Sequence, residues 1–259
     1  MIDSSEPKNL DSDDTASRLS TPSRRNTRLS IQHDARTVTA WRHRRRAEAL
    51  GLLGVLGVVL LFGAHLLGPT TSVPGDVLAT VQPWNMIVQG PPANWLVSDA
   101  IFQYYPYRLF VNESLQQGEF PLWNPYVLSG QSAAADPNMS LFYPTTLLFG
   151  LLSPGNAIDL QMLLHLLVAA LGMYLLVRVW GGGYLGAVVA AALFCGCSTL
   201  TVWRQYPNLL HGASWLPWLI LSFEMAQRGQ RARWIGIGGI VLGFSVLANF
   251  IQWTLYSLL

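Results

Sequence analysis

AEALGLLGVLGVVLLFGAHLL, residues 47–67, carries a single charged side chain, Glu48, before Gly68-Pro69 stops it. At about 1.5 Å of rise per residue, such a run spans the ~30 Å hydrocarbon core of a bilayer. It reads as a transmembrane helix that stays in place as an anchor. A cleaved signal peptide fits less well, because the preceding segment is far longer than an n-region and no small-x-small site follows.

Working back from this run, residues 1–46 are rich in Ser, Thr, Asp, Asn and Arg and nearly free of aromatics. They cannot bury enough apolar surface to offset the entropy of ordering, so a disordered tail is expected. Lys8 and nine of the fifteen arginines fall in it, ending in Arg42-His43-Arg44-Arg45-Arg46 against the apolar run. By the positive-inside rule this tail is cytoplasmic, and the same arrangement attracts anionic headgroups.

Working forward, the chain is 51% hydrophobic and 12% charged with a mean hydropathy of +0.32, where soluble domains carry about a quarter charged residues. Further spans are expected over Ile158–Trp180, Tyr184–Trp203, Leu209–Ala226 and Trp234–Leu259. The fold class is then an all-α membrane protein, a polytopic bundle of about five transmembrane helices over residues 47–259. Arg178 and the cluster Arg228, Arg231, Arg233 fall on the cytoplasmic side, in agreement with a cytoplasmic N-terminus. Phe142–Leu152 is too short to span and reads as an interfacial or re-entrant helix. Cys195 and Cys197 lie in an apolar run and read as packing residues. The chain stops at Leu259 within an apolar run, which is expected of the N-terminal portion of a longer protein.

The long first loop, residues 68–157, is extracytoplasmic in this topology. Asp76, Asp99, Glu113, Glu119 and Asp136 lie in it, Asp159 at its far edge, and Arg108 is its one basic residue. Its density of Trp, Tyr and Phe predicts an ordered structure seated at the membrane interface. Ser98-Asp99 can start a helix with Gln103 on the same face as Asp99. A second helix is predicted from Tyr105 or Pro106 to about Gln117, ended by Gly118. A turn-rich segment follows.

The series Ser98-Asp99, Gln103, Tyr105-Pro106, Gly118, Pro121-Leu122-Trp123-Asn124-Pro125-Tyr126, Gly130, Ala135-Asp136-Pro137 and Tyr143-Pro144 resembles the first external loop of YfhO-type bacterial membrane proteins. His211, Trp215-Leu216-Pro217-Trp218, Glu224 and the stretch from Asn249 to Tyr256 around Gln252 extend the resemblance, which covers residues 47–259. The segment at Asn249 departs from the pattern, in which Gly-His precedes the position of Gln252.

That family is similar to the membrane-embedded GT-C glycosyltransferases. The resemblance implies transfer of a sugar from a polyprenyl-phosphate donor, in the bacterial plasma membrane, to an envelope glycan, lipid or protein acceptor. By position it assigns the catalytic carboxylate to Asp99, which would take the proton of the attacking hydroxyl. Arg108 and Arg204, the extracytoplasmic cations, are the candidates for the donor phosphate. Gln103, Asp136 and His211 are supporting candidates. The resemblance fixes no cofactor, and a divalent cation between Asp99 and Asp136 would suit hard carboxylate ligands. No nucleic-acid partner is expected.

Each residue has a plainer reading. Asp99 can cap a helix, Asp136 before Pro137 can form an Asx-turn, and Arg204 can snorkel to the interface. His165, mid-span, fits a neutral imidazole bonded across helices. Trp123, Tyr126, Phe142 and Tyr143 fit interfacial anchoring as well as a sugar or lipid surface. The rival to catalysis is a transport or envelope-assembly protein whose acidic loop binds a cation, glycolipid or partner.

Overall fold

The first apolar run forms the helix α1 (Arg46–Leu67), tightened to 3-10 geometry over Ala64–Leu67. This is a computed structural model, mostly helical, that describes residues 46–229, 231–248 and 251–258; the expected disordered tail lies outside the described residues but for Arg46. In the loop comes α2 (Tyr105–Gln116), and after the loop α3 (Pro154–Val179). Two described helices, α1 and α3, are long and apolar enough to cross a membrane, with mean hydropathies of 2.4 and 2.1.

Helix α3 starts where Pro154, which lacks a donor to lose, occupies the first turn. It ends where Gly181 and Gly182 return N–H bonds to the carbonyls of Arg178 and Val177 at 3.1 and 2.9 Å. It is the centre of the core. Ile158, Met162, Leu166 and Tyr174 are buried on it, against Val55, Val58 and Val59 of α1. On α1 the other face is open: Leu53 and Leu61 are 62% and 73% exposed, an apolar surface that suits lipid rather than water. Glu48 accepts from the Tyr174 hydroxyl at 3.0 Å and pairs with Arg178, tying α1 to α3 at one end.

The three later apolar runs are interrupted helices. Tyr184–Trp203 divides into α4 (Tyr184–Cys195) and α5 (Ser198–Val202), because Gly196 ends the first and Cys197 turns extended. Leu209–Ala226 divides into α6 (Pro207–Ser214) and α7 (Leu216–Arg228), since Pro217 has no N–H to give the preceding turn. The last run holds α8 (Arg231–Leu247) and α9 (Ile251–Leu258). Cys195 is buried and Cys197 half-buried, and both are free thiols.

At the crossing of α3 and α7 the Trp218 indole lies on Gly172, where a Cβ would stand 2.5 Å from Nε1, and that Nε1 donates to Val168 O at 2.9 Å. Gly172→Val is therefore expected to displace the indole and break its bond, at about 1–3 kcal/mol for overpacking. Thermal denaturation in detergent micelles, followed by tryptophan fluorescence, reads this as a lower midpoint.

The loop is ordered, as its aromatic content predicts. A π-turn, Ala100–Tyr104, feeds into α2 without a break. Gly118, at φ +77, then reverses the chain. A short antiparallel hairpin follows, β1 (Trp123–Asn124) with β2 (Gln131–Ser132), pairing Trp123 with Ser132. The segment read as an interfacial or re-entrant helix is a 3-10 helix, Pro144–Gly150, leading to α3.

Candidate functional site

Asp99 stands where the π-turn begins. A π-turn costs hydrogen-bond geometry, and such turns concentrate at functional sites. The carboxylate is exposed and makes no side-chain cap bond, so the capping alternative is not used. Its backbone is fixed instead: the Tyr206 hydroxyl donates to Leu96 O at 2.6 Å and receives the Asp99 N–H. Tyr206 immediately precedes α6 and meets Tyr104 edge-on, centroids 5.7 Å apart. Gln103 is half-buried and bonds toward Tyr107.

Tyr104 is the point on which the loop's charges converge. Burial raises its phenol above the ordinary value, Arg108 opposes that, and Asp99, Tyr206 and Asp136 add to it. Two carboxylates distant in sequence thus act on one hydroxyl. Tyr107 is also raised, first by burial and then by Asp136. Both phenols stay protonated at neutral pH and can donate.

Asp136 forms the Asx-turn: its Oδ1 accepts from Asn138 N at 2.9 Å and caps the 3-10 turn Pro137–Met139. Its Oδ2 takes a longer bond, 3.4 Å, from Gln131 Nε2. Among the described residues no group of three or more His, Cys, Asp or Glu side chains is close enough to hold a metal ion.

Arg108 is fully buried, in contrast to a cation offered to a ligand. Its guanidinium donates to Met139 O and, at 3.2 Å, to Asn208 Oδ1, with the Phe149 ring 5.5 Å from its carbon. Burial pushes it down to about 10, so it remains cationic at neutral pH. Ser140 Oγ lies 3.3 Å from Asn208 Oδ1 and 3.1 Å from Ala248 O, and its one proton serves one of them. Asn208 Nδ2 donates to Asn138 O at 3.3 Å. Here α2, the Asp136–Ser140 turn and α6 are joined through one guanidinium. Sequence reasoning missed Asn208, whose signal is an amide in the first turn of a short helix.

Beside it, Tyr143 bridges loop and bundle. His165 Nδ1 lies 2.6 Å from Gln161 O, which requires an N–H there, so Nε2 accepts the Tyr143 hydroxyl at 2.6 Å. Trp215 Nε1 donates to the same phenol oxygen at 2.9 Å. His165, expected to bond across helices, bonds instead within α3 and to Tyr143 of the loop. His211 stacks on His165 at 3.8 Å, fully buried, and among the described residues neither of its ring nitrogens has a hydrogen-bond partner.

Arg204 is half-buried, lowered from its ordinary value by that burial, and donates one N–H to Phe62 O at 2.7 Å. Arg204 also lines a cleft of about 350 Å³ with His65, Ser72, Asp76, Asn94 and Gln205. A phosphate oxygen could accept from the guanidinium there. The cleft thus separates the two arginines proposed from sequence: Arg204 borders open space and Arg108 does not.

No protein-family model matches the chain, and no curated protein or solved structure matches it.

Proposed function

We propose that the protein is a multi-pass bacterial membrane glycosyltransferase of GT-C type, with its N-terminus cytoplasmic and its first loop extracytoplasmic. It moves a sugar from a polyprenyl-phosphate donor to an envelope acceptor. One observation carries the reading: Asp99 is an exposed carboxylate, uncommitted to capping, held by its backbone at the head of a π-turn. The loop's resemblance to YfhO-type proteins and the lipid-suited faces of α1 support the membrane setting.

In the reaction, the acceptor hydroxyl gives its proton to Asp99 as its oxygen bonds to the anomeric carbon. The bond from that carbon to the donor phosphate breaks, and its electrons leave on the phosphate. Arg204 stabilises the growing negative charge with charge-assisted hydrogen bonds. Arg108 acts at one remove, holding α2 and the Asp136 turn so that Asp99 keeps its position.

Arg204→Gln is expected to lower kcat/KM for the lipid donor about tenfold or more, since hydrogen bonds to a charged group contribute about 1.5–3 kcal/mol. Initial rates against donor concentration in proteoliposomes read this directly. The function itself is tested by disrupting the segment 99–136 in the full-length protein at matched expression. Loss of envelope glycosylation is expected; unchanged glycosylation would refute a transferase.

A further inference from the structure

The loop holds a groove of about 360 Å³ that the chemistry at Asp99 does not use. One wall is a single face of α2, where Phe110, Glu113 and Ser114 recur at helical spacing and Gln117 follows just past its end. Gly118 turns the chain back, and Glu119, Phe120, Trp123 and Tyr126 form the facing wall.

The rings of this second wall are exposed yet held. Trp123 and Tyr126 are 60% and 77% exposed. The Trp123 indole lies across Gly130, where a Cβ would come within 2.8 Å of it. Buried Asn124 fixes the next turn by accepting from Tyr126 N at 2.9 Å, and Phe110 meets Tyr126 edge-on at 6.2 Å. Large rings ordinarily collapse into a core; these are propped open beside two carboxylates and an amide.

A pyranose presents an apolar C–H face and a rim of hydroxyls. An aromatic ring takes the face, and carboxylates and amides take the hydroxyls. Among the described residues no basic side chain lines the groove, so there an anionic headgroup or phosphate would meet the charges of Glu113 and Glu119. We propose that this groove binds a pyranose chain, the acceptor glycan of the transfer. The role of acceptor rests on the reading above; the binding does not.

The test uses purified full-length protein in nanodiscs, carrying Asp99→Asn so that binding is read without turnover. The probes are maltotetraose, the N-acetylglucosamine tetramer and the glucosamine tetramer, followed by saturation-transfer NMR and tryptophan fluorescence. Saturable binding of at least one is expected, weakened tenfold or more by Trp123→Ala and several-fold by Glu113→Gln. Should Trp123→Ala fail to fold, Trp123→Phe and Glu113→Gln carry the test: the first retains binding and the second weakens it several-fold. No saturable binding of any probe, or binding indifferent to both side chains, overturns the proposal. Binding to anionic lipid vesicles in place of sugar overturns it too and makes the groove a membrane anchor. Sugar binding with no transferase activity in wild-type protein would leave the groove standing and remove the acceptor role.

Discussion

Asp99→Asn is expected to lower sugar transfer by about 10²–10⁴-fold, the span that a positioned general base contributes. Asparagine keeps the size and the hydrogen-bonding reach of the side chain but cannot take a proton. Because the Asp99 carboxylate is exposed and makes no cap bond, the substitution removes no described side-chain hydrogen bond of the fold. The melting midpoint is therefore expected to stay within experimental scatter of the wild type. That separation is diagnostic: a structural aspartate would lose stability along with activity. Rates should be compared at saturating donor, where a loss in kcat distinguishes the base from a binding group.

Arg108→Leu is expected to have the opposite signature, a loss of stability that carries activity with it. Two effects compete. Removing a buried cation recovers the cost of its desolvation, but it strips Met139 O of its donor and leaves Asn208 Oδ1 only the shared Ser140 hydroxyl. Each acceptor left unpaired in such a place costs about 1–3 kcal/mol, and hydrogen bonds to the charged group add to the loss. The balance is destabilising by about 2–4 kcal/mol, in line with other broken buried charge networks. Arg108→Lys should recover only part of it, since one ammonium at the end of a flexible stem does not reproduce the planar fork that reaches both acceptors. Fraction folded after a heating step in detergent, read by size-exclusion chromatography, ranks the three proteins. Wild-type stability in Arg108→Leu would mean that the guanidinium is incidental to the fold.

The sequence announced α1 and α3 because each is a long apolar run bounded by Gly or Pro, and side-chain hydropathy suffices to see that. It announced α2 as well, through Pro106 in the first turn and Gly118 after the last. The breaks in the later runs were not legible from hydropathy. Gly196 and Pro217 interrupt the backbone hydrogen-bond ladder while the side chains around them stay apolar, so a count of apolar residues passes over them. Asp136 behaved as its Asx-turn reading predicts.

Arg108 was read as a ligand-facing cation because it stands alone in an acidic loop. Its burial depends on Asn208, 100 positions away, and no local pattern records that pairing. Arg204 differs from it through the same kind of distant contact: Phe62 O holds one N–H of a residue that lines an open cleft. Local sequence thus names the chemistry available, and long-range packing decides which group is presented.

The most direct measurement is the cellular pool of polyprenyl-phosphate sugars, quantified by lipid mass spectrometry with the full-length protein present as wild type, as Asp99→Asn at matched expression, or deleted. Mass resolves each lipid-linked sugar, whatever its identity. Accumulation of one such lipid in both the deletion and Asp99→Asn strains, with the wild type at baseline, is the predicted result. Identical pools in all three strains would contradict a transferase and return the acidic loop to a binding role.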